Sequence, residues 1–196
     1  MQPIATSGDA PGLMIDPMPC AAAELENFEM VVRLHRNRVF RFALASLRDR
    51  DAAETLTQDC FLRAYHGRDR FRGEASVLTW LMQIAVNLVR DHLRNRRLQF
   101  WKRTRSAAAD FDSASERMVD RESSPEARAL ANEQLRAVWS ATERLPDRQR
   151  TVFLLRFVED MDILEIAAAT GMKEGTVKVH MFRALQAVRE RLGNRV

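Results

Sequence analysis

Apolar residues recur at helical spacing in three stretches of the first half of the chain. In each stretch they fall three, four or seven positions apart, which is the period of a helix with one buried face. The three sets are Phe28, Val31, Val32, His35, Val39, Phe42 and Ala43; then Ala53, Leu56, Thr57, Cys60, Phe61 and Ala64; then Trp80, Leu81, Ile84, Ala85, Leu88 and Leu93. Because the connections between them are short, the pattern predicts a small helical domain over residues 24–98.

A second helical domain is predicted over residues 126–196. Its first helix, over 127–142, carries an apolar stripe, and Leu145-Pro146 ends it. Proline suits the first turn of the next helix, predicted over 147–159, because its missing N–H has no intrahelical partner there. Asp162 then precedes Glu165 by three residues, which is the spacing of a capping box at a helix start.

The remaining segments lack helical periodicity. Residues 1–23 contain four prolines and almost no charge, and we expect a disordered N-terminal tail. Residues 99–125 begin basic and aromatic and then become acidic and serine-rich, which is typical of a linker. The sequence therefore predicts an all-α fold of two small helical domains joined by an acidic flexible linker.

The segment 162–192 has the pattern of a helix-turn-helix. Gly171 suits the turn because glycine adopts positive φ without strain, while Ala167 and Val177 suit the contact between the two helices. The buried stripe predicted for the last helix leaves four side chains on its outer face or at its margin, and arginine or lysine there can bond guanine in the major groove. These side chains are Lys178, Val179, His180 and Arg183.

The third helix of the first domain carries a polar stripe opposite its apolar face. Gln83, Asn87, Arg90 and Arg94 recur at helical spacing, and such residues can hold base edges and phosphates. Just before this helix, the segment 70–80 combines aromatic, arginine and glycine residues, as a site for an unstacked base would. A surface loop whose Phe71 and Trp80 lie in the core is the alternative, which the loop's chemistry alone favours.

Composition narrows the class of protein. The 196 residues carry a formal net charge of +4, with clustered arginines, and only two cysteines, in no metal-binding spacing. No signal peptide and no apolar run of about 20 residues is apparent, so we expect no membrane insertion. The four histidines are scattered without HExxH and no glycine-rich phosphate loop occurs, which argues against an enzyme and against a bound cofactor or metal.

Several short motifs occur in an order that is typical of one family. Taken together, they resemble the extracytoplasmic-function (group 4) sigma factors of bacterial RNA polymerase, over roughly residues 28–192. The motifs are Ala52-Ala-Glu54 with Gln58-Asp59-Cys-Phe61, Phe71-Arg-Gly73, Thr79-Trp80-Leu81 with Ile84-Ala85-Val-Asn87, the run Arg94–Arg97, Leu145-Pro146 with Gln149-Arg150, and Glu174-Gly-Thr-Val-Lys178 with Phe182-Arg-Ala184.

The resemblance implies that residues 24–98 are sigma region 2 and residues 126–196 are sigma region 4. Such a factor binds core RNA polymerase, directs it to promoters and promotes melting. Region 4 would read the −35 element through Lys178, Val179, His180 and Arg183, with Arg156 nearby. Val179 stands where the family often has serine and His180 where arginine is common, so the preferred −35 sequence should differ.

Region 2 would contact the −10 element and core polymerase. The resemblance assigns the −10 element to Phe71, Arg72, Gly73, Ser76, Val77, Trp80, Gln83, Asn87, Arg90 and Arg94. It assigns the β′ clamp helices to Glu54, Thr55, Gln58, Asp59, Phe61 and Leu62, with Thr55 replacing a usual aspartate. The β flap, an anti-sigma factor and a role in stress response are further implications, in a cytoplasmic protein that an anti-sigma factor can hold at the inner membrane.

Two other classes of function compete with this interpretation. A stand-alone helix-turn-helix regulator would bind its operator without polymerase, but it would give the polar stripe and the segment 70–80 no role. An enzyme acting on nucleic acid would need clustered carboxylates or an activated nucleophile, which the sequence lacks.

Overall fold

The structure, a computed structural model, describes residues 25–104 and 135–193, with the side chains of 97–104 excepted. Within these ranges the chain is helical and contains no strand. The first unit consists of α1 (Phe28–Leu47), α2 (Arg50–Gly67), a 3₁₀ turn (Arg68–Arg70) and α3 (Val77–Thr104). The second unit consists of α4 (135–143), α5 (Asp147–Phe157), α6 (Ile163–Thr170) and α7 (Glu174–Gly193). The predicted all-α fold is confirmed.

Side chains cap the helices of the first unit. Asn27 and Asp49 accept hydrogen bonds from the first-turn amides of α1 and α2, at 3.2 and 2.9 Å. The Ser76 hydroxyl accepts from the Thr79 amide at 3.1 Å and begins α3. Each cap satisfies a backbone donor that has no partner inside its helix. The 20-, 18- and 28-residue helices that follow are longer than the apolar patterns alone indicate.

The second unit contains the predicted helix-turn-helix. Asp162 and Glu165 form both hydrogen bonds of the capping box that begins α6. Gly171 ends α6 with φ 69°, and its amide donates to the Ala167 carbonyl oxygen. Val177 is fully buried where α7 packs on α6, as the spacing predicts. Pro146 precedes α5, in the N-cap position rather than within the first turn.

The two units pack directly on each other. Helix α6 lies against α3, and α5 lies against α1. Buried residues of the first unit, such as Leu81, and of the second, such as Ile166, belong to one continuous apolar cluster. A smaller cluster holds α4, α5 and α7 together through Ala141, Leu145, Phe153, Ala184 and Val188.

Three sequence expectations concern the segments between and outside the units. Helix α3 continues to Thr104, so the expected boundary at 98 falls inside it. The expected N-terminal tail at 1–23 lies outside the described residues. Most of the expected linker, and the first half of the helix expected over 127–142, lie outside them as well.

The turn of the helix-turn-helix depends on the left-handed conformation of Gly171. We expect Gly171→Ala to lower the free energy of unfolding by about 1 kcal/mol, because a Cβ disfavours positive φ although no atom crowds the site. Gly171→Asn should cost less, since asparagine tolerates this region. Gly175→Ala is the matched control: Gly175 lies within α7 without positive φ, so alanine should be neutral or stabilising. Denaturant titration measures all three, and an undiminished stability of Gly171→Ala contradicts the account.

Cys60 is a core residue of α2. Its side chain is fully buried, its Sγ lies 3.5 Å from the Leu81 carbonyl oxygen, and burial raises the thiol pKa to about 12. Because the thiolate is the reactive form, we expect a Cys20→Ser variant to resist iodoacetamide at pH 8. The same variant should react rapidly in denaturant. Mass spectrometry measures the modified fraction, and rapid modification of the native protein would contradict this assignment.

Candidate nucleic-acid and polymerase interfaces

Helix α7 presents its predicted reading face to solvent. Lys178, Val179 and Arg183 are exposed, and Val179 retains 47% of its accessible surface. Phe182, which sequence reasoning left out, is the most exposed large apolar side chain of the helix, at 68%. Since Val177, Ala184 and Val188 are buried on the other side, the helix is held from behind and its outer face is open.

His180 lies at the margin of this face, partly buried. Desolvation lowers its pKa, and the positive charges of Arg148 and Arg183 lower it further. The lowered pKa favours the neutral imidazole, whose Nδ1 is buried without a hydrogen-bond partner among the described residues. Arg148, on the first turn of α5, was not among the predicted residues, because no sequence pattern relates it to α7.

Arg156 is less available than the sequence suggested. Its Nη1 donates to the Met161 carbonyl oxygen at 3.0 Å and lies 3.9 Å from an Asp160 carboxylate oxygen. The guanidinium thus braces the connection between α5 and α6. Its side chain remains 40% exposed, so the outer part can still contact a ligand.

The polar stripe of α3 is exposed as predicted. Gln83, Asn87, Arg90 and Arg94 are all accessible, while Leu81, Ala85 and Leu88 are buried behind them. Arg90 donates to the Asn87 side-chain oxygen at 3.3 Å. Arg94 pairs with Asp91 at 3.2 Å. The stripe is therefore a basic surface whose central amide is oriented by its neighbour.

The loop before α3 divides into a buried and an exposed part. The Phe71 and Trp80 rings pack 5.0 Å apart and lie partly buried against the core. Val77 is 2% exposed, so it supports the loop from below and is not available to DNA in this conformation. Arg72 and Ser76 are exposed, and Gly73 has φ 72°, which turns the chain between them. The Ser76 and Thr79 hydroxyls are 2.8 Å apart.

The predicted polymerase-binding residues lie on one side of α2. Thr55, Gln58, Asp59 and Leu62 are exposed, and Glu54 is partly exposed with an ion pair to Arg50 at 3.4 Å. Phe61 is only 7% exposed, so most of its surface supports the core.

An open apolar groove runs between α1 and α2 beside these residues. Its volume is about 370 Å³. Phe28 contacts the rings of Phe61 and Tyr65 edge-on, at 6.4 and 5.3 Å, and Arg68 stacks over Tyr65. The sequence did not assign Phe28 and Val32 to this groove, because both fit the apolar stripe predicted for the core of the first unit. The groove is lined by Phe28, Val32, Arg36, Thr57, Gln58, Phe61, Leu62 and Tyr65.

No group of histidine, cysteine, aspartate or glutamate in the described ranges could hold a metal ion. None of the helices in these ranges is long and apolar enough to cross a membrane.

Both units match known protein families. Residues 31–99 match sigma-70 region 2, and residues 135–188 match sigma-70 region 4. The chain is 30% identical over 163 residues to the RNA polymerase sigma-H factor of Pseudomonas aeruginosa, covering 82% of this chain and 83% of that protein. It is 26% identical over 165 residues to the ECF RNA polymerase sigma factor SigW of Bacillus subtilis, covering 84% and 88%.

Two solved structures share the fold. The sigma factor RpoE of Bartonella quintana, in complex with the anti-sigma factor NepR, superimposes with a TM-score of 0.69 at 21% identity, covering 86% of this chain and 98% of that one. CnrH in complex with the cytosolic domain of CnrY superimposes with a TM-score of 0.63 at 20% identity, covering 92% and 100%. The chain belongs to the extracytoplasmic-function sigma factors of the sigma-70 family and is a transcription initiation factor that directs RNA polymerase to promoters.

Proposed function

We propose that the exposed faces of α7 and α3 read the −35 and −10 elements respectively. The observation that carries this assignment is that each helix is packed on its apolar side and leaves its basic, hydrogen-bonding side in solvent. On α7, Lys178, His180 and Arg183 would contact base edges or phosphates, with Arg156 at the border.

On the first unit, Asn87 and Gln83 would contact −10 bases, while Arg90 and Arg94 would hold phosphates. Arg72, Gly73 and Ser76 would form the open rim of a pocket for an unstacked base, over the Phe71–Trp80 pair. Unstacking a base costs a few kcal/mol, which stacking and hydrogen bonding in such a pocket can offset.

The groove between α1 and α2 would receive the β′ clamp helices of core polymerase. Leu62, 56% exposed at the groove, supplies apolar surface, and the neighbouring Gln58, Asp59 and Thr55 supply hydrogen-bonding groups. The second unit would bind the β flap.

An anti-sigma factor is a further proposed partner, since the structurally similar RpoE was solved in complex with the anti-sigma factor NepR. The protein would act by binding alone, with no enzymatic step, in the cytoplasm beside core polymerase. An anti-sigma factor could hold it at the inner membrane. The division of the chain into residues 24–98 and 126–196 as the two binding units remains part of the proposal.

Reconstituted transcription tests the proposed function. Purified protein added to bacterial core polymerase should produce discrete transcripts from a subset of genomic promoters. Core polymerase alone is the control. If the same templates give identical transcripts with and without the protein, the proposal is wrong.

A charge in the α1–α2 groove should weaken polymerase binding. We expect Leu62→Asp to weaken the affinity for core polymerase by about 10- to 100-fold, because it removes buried apolar area and places a carboxylate at the interface. Leu34→Asp is the matched control: Leu34 is equally exposed, at 59%, but lies two positions along α1 from Val32 and so faces away. Fluorescence anisotropy measures both affinities. Equal losses in the two variants would contradict the assignment of the groove.

Val179 should read a thymine methyl group. Apolar side chains recognise this group in the major groove, and its burial is worth about 0.8 kcal/mol. The holoenzyme first selects a preferred −35 element from a random library. Each thymine of that element is then replaced by uracil, one at a time. One replacement should weaken holoenzyme binding about fourfold for the wild type and leave Val179→Ser unaffected. Leu164→Ser, on α6, is the control and should behave as wild type. Tolerance of uracil at every position would refute the contact.

A further inference from the structure

Arg148 lies beside the reading face of α7 although it belongs to α5. The two helices pack together through a cluster that contains Phe153 of α5 and Ala184 of α7. His180 precedes Ala184 by about one turn, and Arg148 precedes Phe153 by between one and two turns. The positive charge of Arg148 acts on His180, so the two side chains are neighbours across the contact between the helices.

The charges around His180 are positive and lack a counterion in the structure. Arg148 is exposed, and so is Arg183, which follows His180 on α7. Within the part of the chain that the structure describes, no carboxylate pairs with either arginine. Burial lowers the pKa of His180, and the charges of both arginines lower it further. An anion that approached this surface would therefore be attracted by two cations and would favour a third.

The carboxylates on the helices packed against α7 are engaged elsewhere. Glu165 completes the capping box of α6. Glu143 of α4 pairs with Arg48, and the charge of Asp147 on α5 acts on Arg150. Among the described residues, the charges that act on His180 are those of the two arginines. The remaining ionisable side chains of α4 to α6 and of the first half of α7 are Arg136, Arg156, Glu174 and Lys178.

The position of the imidazole leaves one ring nitrogen for a ligand. Nδ1 of His180 is buried, so Nε2 is the nitrogen that an external group can reach. A protonated imidazole donates from Nε2, and the Arg148 guanidinium has several N–H donors beside it. A phosphate oxygen can accept from both groups in short, charge-assisted hydrogen bonds. Contacts of this kind beside a recognition helix fix the register of a protein on the duplex without reading bases.

We propose that Arg148 and His180 together bind one phosphate of the DNA backbone beside the −35 element, and that His180 takes up a proton from solvent on binding. We call this pair the phosphate site. The inference rests on the proposed function and extends the DNA-binding surface from α7 onto α5. The phosphate offsets the charges of the neighbouring arginines, so the charged imidazole is favoured in the complex. Promoter binding is then linked to the uptake of a proton.

Binding of the holoenzyme to one selected promoter at several salt concentrations tests Arg148. Arg148→Ala should weaken the affinity about three- to tenfold and reduce the slope of log affinity against log salt by about 1, because one phosphate contact is lost. The loss should be the same on a promoter with altered −35 bases, since a phosphate contact carries no sequence information. Arg144→Ala is the matched control. Arg144 is also exposed, between α4 and α5, but it is not among the charges that act on His180, so its variant should bind as the wild type does.

The pH dependence of the same binding tests His180. Its pKa in the free protein is below the usual value of about 6.5, and the phosphate should raise it in the complex. Affinity is then highest below the pKa of the free protein and falls as the pH rises towards the higher pKa of the complex. Between pH 6 and pH 8, the wild type should lose about threefold or more affinity relative to His180→Gln, which takes up no proton. His180→Arg, which is always charged, should bind more tightly than the wild type at pH 8 and vary with pH as His180→Gln does.

Two results would overturn the phosphate site. One is an affinity and a salt slope of Arg148→Ala that equal those of Arg144→Ala. The other is a pH profile of the wild type that runs parallel to that of His180→Gln. Circular dichroism should show unchanged helix content in every variant, which separates a lost contact from misfolding. Either result, obtained with a wild-type holoenzyme that protects the −35 element, refutes the phosphate site alone. Absence of that protection in the wild type refutes the proposed function instead.

Discussion

The packing of the second unit onto α1 and α3 is the contact on which the arrangement of the described structure depends. It combines an apolar contact between α6 and α3 with a polar contact along α1 that contains the buried Glu159. The apolar contact favours association of the units without fixing their relative orientation. The buried carboxylate, in contrast, requires an arrangement in which Arg38 and Arg41 surround it. The apolar and polar contacts together therefore select one arrangement of the two units.

Helix α3 illustrates how one element serves several purposes. One side completes the core of the first unit, another receives α6, and a third leaves Asn87 and its basic neighbours in solvent. Helix α7 is divided in the same way, with Val177 and Ala184 buried and Lys178 and Arg183 exposed. Because the core contacts fix each backbone, the polar faces are presented at defined positions, which sequence-specific reading of DNA requires.

Local features of the structure could be predicted from the sequence, and long-range ones could not. The helices, the Asp162 capping box and the left-handed Gly171 follow from periodicity and turn chemistry within a few residues. The pairing of Glu159 with Arg38 and Arg41 follows from no local pattern, because it depends on how two distant units pack. The burial of Val77 and the bracing role of Arg156 escaped prediction for the same reason: motif position does not tell which neighbours surround a side chain. The contacts of both reading faces with DNA remain predictions.

The central claim is that the exposed faces of α7 and α3 are the two promoter-reading surfaces of this sigma factor. Footprinting of the holoenzyme on one selected promoter measures both contacts directly. The account predicts that Arg183→Ala weakens protection of the −35 element alone and that Asn87→Ala weakens protection of the −10 element alone. Protection of both elements that is unchanged in both variants would contradict it.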